Sequence, residues 1–210
     1  NNSEHNKDIF FALSHGVGTG KLRKKNTKKE INDPRVIFAK EIIASDIEVK
    51  CNFFGFNNIS PIWAEEFNNE INSCYMGLCL QRKPQLKYCL SDRIAQYGGN
   101  GLMLFIEKDT QFNEFLNDNE EAVFFDDIDD LLEKINYYKK NKVESLKIAE
   151  AGYNKLHTYC NEKVVTNYFL DCLFNENLNN LRTKYSWPIH FYKKIIDSIK
   201  SRIRIVSEEG

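Results

Sequence analysis

The sequence has no excess of charge of either sign and no apolar run long enough to span a bilayer. Its 29 lysines and arginines nearly balance 30 aspartates and glutamates, which leaves a net charge of −1 at pH 7. A balance of this kind does not indicate a nucleic-acid partner. With 210 residues, the chain is long enough for one domain with a full core and a short tail.

The six cysteines form no C-x-x-C pair and lack the spacing of metal ligands. Several lie in apolar runs such as YMGLCL (residues 75–80), where a thiol behaves as a small hydrophobic side chain. Free thiols of this kind suit a reducing compartment, so we expect a cytoplasmic protein. The acidic run from Asp126 to Asp130 begins a predicted helix, and the helix dipole explains it without a cation. No metal site is therefore predicted.

Short apolar segments alternate with helical segments along most of the chain. DIFFALSH, IEVKCNFFGF, CYMGLCLQ, GLMLFIE and EAVFF predict five strands. Predicted helices begin at Pro34, in WAEEFNNEIN, in DRIAQY behind Ser91, and three times after Asp126. Trp63 and Phe67, four residues apart, are expected to pack their helix onto the sheet. The alternation predicts an α/β fold, with a parallel sheet covered by helices on both faces and followed by C-terminal helices.

The stretch SHGVGTGKLRKK, residues 14–25, follows the first predicted strand and contains three glycines. A nucleotide-triphosphate loop would need glycine at His15 and a hydroxyl residue at Leu22, and the dinucleotide fingerprint fails at Lys21. The backbone amides and the cluster of cations still suit a phosphate group. A basic solvated loop without a ligand is the alternative interpretation.

The region from Ser91 to Phe169 resembles the carboxy-terminal, donor-binding domain of two-domain (GT-B type) glycosyltransferases. Within that class it is most similar to group 1 and spore-maturation glycosyltransferases. The shared features are a Ser-x-Arg helix start, a polar residue five positions before Gly101, the acidic helix DDIDDLLEKI, and IAEAGYNKLHTYCNEK near the end. The resemblance covers roughly residues 8–174. It implies a Rossmann-like sheet with a nucleotide-sugar lying across the carboxyl edge of its strands.

The resemblance also implies which residues bind the donor. The loop after the first strand and the helix behind Ser91 would face the diphosphate, and Arg93 and Lys24 would stabilise the leaving diphosphate as electrostatic catalysts. No metal or other cofactor is expected in this domain. The remaining donor-binding residues would be His15, Gly16, Arg23, Arg82, Lys87, Ser91, Asp92 and Gln96.

The sequence departs from the family pattern at two positions. Many relatives carry two glutamates eight residues apart, where this chain has Tyr88 and Gln96. An amide can still hydrogen-bond a ribose hydroxyl, whereas a tyrosine cannot act as a carboxylate. The sheet also lacks one strand–helix unit between Ser14 and Phe54. The acceptor-binding domain is expected to precede residue 1.

Residues 1–174 are expected to form the nucleotide-sugar-binding domain, and residues 175–210 a linker and a basic amphipathic helix. The segment WPIHFYKKIIDSIKSRIRIV (187–206) carries isoleucines on one face and cations on the other. It can dock onto the missing domain or lie at the inner face of a membrane, near a lipid-linked acceptor. Both alternatives stay open.

The predicted function is transfer of a sugar from a nucleotide-sugar to a glycan or lipid-linked acceptor during cell-envelope assembly. A non-catalytic nucleotide-sugar-binding or phosphate-binding module is the alternative that Tyr88 and Gln96 suggest. A phosphate-loop NTPase is disfavoured by His15 and Leu22. For Arg93→Ala, the resemblance predicts weaker diphosphate binding with unchanged thermal stability.

Overall fold

The structure is a computed structural model that describes residues 5–14, 33–81 and 92–174 together with Tyr185. The chain divides into two compact units, residues 1–154 and residues 155–210. Within the described ranges, no helix is both long and apolar enough to cross a membrane.

A five-stranded parallel sheet lies in the first unit. Its strands have the order β2-β1-β3-β4-β5, and each neighbouring pair runs parallel. All five coincide with the predicted apolar segments, so the Rossmann-like α/β fold is confirmed. The bounds are β1 (Ile9–Ala12), β2 (Cys51–Phe54), β3 (Met76–Cys79), β4 (Met103–Glu107) and β5 (Val123–Phe125).

Helices connect or follow these strands at the predicted places. One element differs from its prediction: DRIAQY forms a π-helical turn, Ile94–Gly98, between β3 and β4. Short 3-10 turns follow β4 at Lys108–Thr110 and Phe112–Glu114. The α-helices are α1 (Pro34–Ala44), α2 (Ala64–Asn72), α3 (Ile128–Lys140), α4 (Lys142–Tyr159) and α5 (Glu162–Phe174).

The start of α1 agrees with the Asp-Pro signal in the sequence. Asp33 accepts a hydrogen bond from the backbone N–H of Arg35 at 3.0 Å, and Pro34 takes the first helical position. The Arg35 guanidinium turns back onto the same carboxylate at 2.6 Å, and both side chains are buried. The buried charge is therefore paired where the helix begins.

Alternate side chains of β1 pack on opposite faces of the sheet. Ile9 and Phe11 belong to the core that α1, α3 and α4 cover. Phe10 points to the other face, where its ring lies 5.3 Å from Phe67 of α2 and 5.2 Å from Tyr97. Helices thus cover both faces because β1 is apolar at every position.

Trp63 and Phe67 were both expected to pack α2 onto the sheet, and only one of them does. Phe67 packs against the sheet as predicted, but Trp63 is 60% exposed. Trp63 lies at the N-cap of α2 with an extended backbone, and Ala64 has a φ of +50°. The helix therefore begins one residue later than the spacing argument assumed, and Trp63 does not share the face of Phe67.

Candidate functional site

The carboxyl ends of β1 and β3 define the crevice in which a ligand is expected. The chain passes from β1 outward to β2 and then returns to the other side of β1 with β3, so the strand order reverses between β1 and β3. In open parallel sheets, ligands bind at such a reversal, outside the carboxyl ends of the strands. The residues at this point are Ala12 at the end of β1, Leu13 and Ser14 after it, and Leu80 and Gln81 after β3.

Arg93 bridges the two strand ends at the crevice. Its Nε donates to the carbonyl oxygen of Ala12 at 3.0 Å, and its Nη1 donates to that of Leu80 at 3.5 Å. The guanidinium carbon lies 5.4 Å from the ring centre of Phe11, a distance typical of cation–π contact. The predicted phosphate-binding cation therefore lies at the reversal point and also ties β1 to β3.

Tyr97 fixes the turn that carries Arg93. Its hydroxyl accepts a hydrogen bond from the Ala12 N–H at 3.0 Å, and the ring is fully buried. A side chain at Gly77 would approach that ring to 2.9 Å, so glycine is required for β3 to pass beneath it. Burial raises the pKa of the Tyr97 hydroxyl above its usual range, so the group stays protonated and can donate as well as accept.

A carboxylate lies one strand further along the same edge. Glu107 ends β4, is 7% exposed, and accepts a hydrogen bond through Oε2 from the Gln81 N–H at 3.1 Å. Burial and, to a smaller extent, the Glu107 charge raise the pKa of the nearby Cys79 thiol to about 12, although the Arg93 charge acts to lower it. Charges of both signs therefore surround the end of β3.

The sequence interpretation did not single out Tyr97, Gln81 or Glu107. For Glu107 a signal was available, because an acidic residue closes the apolar run GLMLFIE at a predicted carboxyl end. Tyr97 gave no such signal, since a tyrosine four residues after Arg93 is equally typical of a packed helix face.

Among the predicted site residues, the structure describes three. Arg93 lies at the crevice, whereas Asp92 and Gln96, on the same turn, are exposed. The Gln96 carbonyl oxygen accepts a hydrogen bond from Asn100 at 2.6 Å, so this contact uses its main chain. The other predicted residues lie outside the described part of the chain: His15, Gly16, Arg23, Lys24, Arg82, Lys87 and Ser91, together with Tyr88.

The acidic run before α3 acts as a helix cap. Asp127 accepts from the Asp130 N–H at 2.9 Å, and Asp130 accepts from the Asp126 N–H at 2.9 Å. Lys134 pairs with Asp130 at 2.7 Å on the next turn. Over the described ranges, no group of three or more His, Cys, Asp or Glu side chains could hold a metal ion.

Two solved glycosyltransferase structures are similar to this chain. One is the C-terminal domain of a group 1 family glycosyl transferase (LpcC) from Francisella tularensis. It matches with a TM-score of 0.46 at 15% identity, over 70% of this chain and 68% of that one. The other, HepE from Anabaena in complex with UDP and glucose, matches with a TM-score of 0.43 at 14% identity.

The match to HepE covers 71% of this chain and 35% of HepE, so the chain spans about a third of that protein. No curated protein matches the sequence.

A family model described as glycosyl transferase-like matches residues 36–169, which is more than half of the chain. The matched region begins in α1 and ends in α5, and it contains Arg93, Tyr97 and Glu107. The resemblance found in the sequence is thereby confirmed, and this chain belongs to the glycosyl transferase-like family.

Proposed function

We propose that this chain is the donor-binding part of a glycosyltransferase and binds the diphosphate of a nucleotide-sugar between the carboxyl ends of β1 and β3. The observation that carries the proposal is Arg93, a guanidinium at the strand-order reversal of a glycosyl transferase-like domain. A fixed cation at this point suits a ligand whose negative charge increases during the reaction.

The chemistry of Arg93 supports a second role beside its structural one. A guanidinium carries more N–H donors than the Ala12 and Leu80 carbonyl oxygens use. Its planar fork matches two oxygens of a phosphate group, and holding it in place beforehand lowers the cost of orienting it when the ligand binds. Loss of the nucleoside diphosphate leaves negative charge on the leaving group, which a fixed cation stabilises.

The rest of the predicted donor site belongs to the same proposal. Lys24 and the loop at His15, Gly16 and Arg23 would approach the crevice from β1, and Arg82 and Lys87 from β3. Ser91 and Asp92 would begin the turn that bears Arg93, and Gln96 would hydrogen-bond the ribose. The sugar would pass to a glycan or lipid-linked acceptor held by a preceding domain, without a metal in this one.

The alternative is a binding module without transfer activity. It is favoured by Tyr88 and Gln96, which stand where many relatives carry carboxylates. Both candidates would bind a nucleoside diphosphate at the same crevice, so binding affinity does not distinguish them. Only the transferase would turn over a nucleotide-sugar. Release of UDP from UDP-glucose, measured with acceptor-domain protein added, would separate them.

Calorimetric titration of the full chain with UDP, GDP and ADP tests the proposal. Each diphosphate is compared with its monophosphate, because the predicted cations act on the second phosphate. We expect one diphosphate to bind with clear preference over its monophosphate. Equal affinity for both, or no binding of any nucleotide, would overturn the proposal.

A further inference from the structure

The peptide group between Leu80 and Gln81 is held from both sides by charged side chains. Its carbonyl oxygen, on Leu80, accepts from Nη1 of Arg93 at 3.5 Å. Its N–H, on Gln81, donates to Oε2 of Glu107 at 3.1 Å. A cation and an anion thus contact opposite ends of one peptide dipole, immediately after β3.

This arrangement is unusual because Glu107 is nearly buried. Removing a carboxylate from water costs free energy that is recovered only through hydrogen bonds and nearby charge. An apolar residue would continue the run of β4 at lower cost, since the four positions before Glu107 are all buried hydrophobic residues. The carboxylate therefore serves something other than the packing of β4.

A hydrogen bond to each end of a peptide group polarises it, so each bond strengthens the other. The Glu107 carboxylate makes the Leu80 carbonyl oxygen a better acceptor for Arg93.

We infer that Glu107 is a positioning residue of the donor site, acting on Arg93 through the Leu80–Gln81 peptide group. The inference rests on the proposed function, because the value of placing Arg93 is that it meets a diphosphate. Glu107 is 7% exposed and acts through the peptide group, so we call it a positioning residue and not a catalytic one.

Glu107→Gln tests this role, because glutamine keeps the size and one acceptor oxygen but removes the charge. The matched control is Thr110→Val. Thr110 is buried and its hydroxyl donates to the main-chain oxygen of Glu107 at 2.6 Å, so the control disturbs the same turn and leaves the carboxylate intact.

The first measurement needs no ligand: solvent exchange of the Arg93 Nη1 protons, which face the Leu80 carbonyl oxygen, followed by nitrogen-15 NMR on the full chain. We expect faster exchange in Glu107→Gln and unchanged exchange in Thr110→Val, at temperatures equally far below each melting point. Unchanged exchange in Glu107→Gln would overturn the inference, whatever the chain binds.

The second measurement is a double-mutant cycle on the affinity for whichever of UDP, GDP and ADP the parent chain binds, with Glu107→Gln and Arg93→Ala alone and combined. We expect Glu107→Gln to weaken binding about fivefold in the presence of Arg93, and much less in its absence, because it acts through Arg93. Independent effects would overturn the inference. If the parent chain binds none of UDP, GDP and ADP, the proposed function fails and the exchange measurement decides the inference alone.

Discussion

Arg93 has both a structural role and a place at the expected ligand site. From the sequence, Arg93 was expected to contact the diphosphate without having a structural role. The structure supplies one, since Arg93 joins Ala12 of β1 to Leu80 after β3 and lies over the Phe11 ring. The proposed role in binding adds to this structural one, so we expect a single substitution to disturb both folding and binding.

Arg93→Ala should therefore lower the free energy of unfolding, by about 2 kcal/mol, as well as weaken UDP binding. This replaces the expectation of unchanged stability, because the Ala12 and Leu80 carbonyl oxygens would lose the Arg93 guanidinium as a donor. Urea unfolding and calorimetric titration on the same preparation measure the two effects. Arg93→Lys is the matched control, since lysine keeps the charge but cannot bridge two strand ends as a planar fork.

Lysine should restore part of the UDP affinity and little of the stability. If Arg93→Ala unfolds at the same urea concentration as the parent chain, the bridge contributes nothing and Arg93 serves the ligand alone. If the Arg93→Ala variant loses stability but keeps full UDP affinity, Arg93 has only a structural role and is not part of the proposed site.

Among the secondary-structure elements, the strands were predictable and their local departures were not. A short apolar run such as DIFFALSH, in a chain where such runs alternate with helices, is most readily a buried strand. Asp33 and Pro34 predict a helix start because aspartate caps the first amides and proline fits the first helical position. The π-helical turn and the exposure of Trp63 depend on how the turn and α2 meet the sheet. A pattern of polar and apolar residues along the sequence does not predict such contacts.

The turn after β2 is specified by one glycine. Gly55 has a φ of +90°, and a β-carbon there would lie 1.7 Å from the Leu13 carbonyl oxygen. The Leu13 N–H in turn donates to the Phe54 carbonyl oxygen at 3.1 Å, so the ends of β1 and β2 approach closely. A glycine at the end of an apolar run signals such an approach but does not identify the neighbour.

Gly55→Ala should lower the free energy of unfolding by about 3 kcal/mol or more, because it adds a steric clash to backbone strain. Gly101→Ala is the control: Gly101 has a φ of +82°, but its added β-carbon meets nothing within 4 Å. That variant should lose only about 1 kcal/mol, from strain alone. Urea unfolding of both variants gives the difference, and equal losses would mean that the Leu13 contact is not rigid.

For the chain taken together, the fold was easier to predict than the site. The order of strands and helices identified a parallel sheet, and its carboxyl edge is where a ligand is expected. Which side chains meet there depends on contacts between residues far apart in sequence, such as Arg93 with Ala12 and Glu107 with Gln81. The family resemblance pointed to Arg93 because the Ser-x-Arg motif is local in sequence. It did not point to Glu107, whose hydrogen-bond partner Gln81 lies 26 positions away.

Charge balance at the site gives the last prediction. A diphosphate needs positive charge, which either a metal or side-chain cations can supply. Arg93 and the predicted Lys24, Arg23, Arg82 and Lys87 are all cationic, so we expect UDP to bind equally well with and without EDTA. Because these contacts are ionic, affinity should fall steadily as sodium chloride is raised. Calorimetric titration in both series measures this, and a loss of UDP binding on chelation, restored by Mg²⁺ or Mn²⁺, would show that a metal supplies the charge instead.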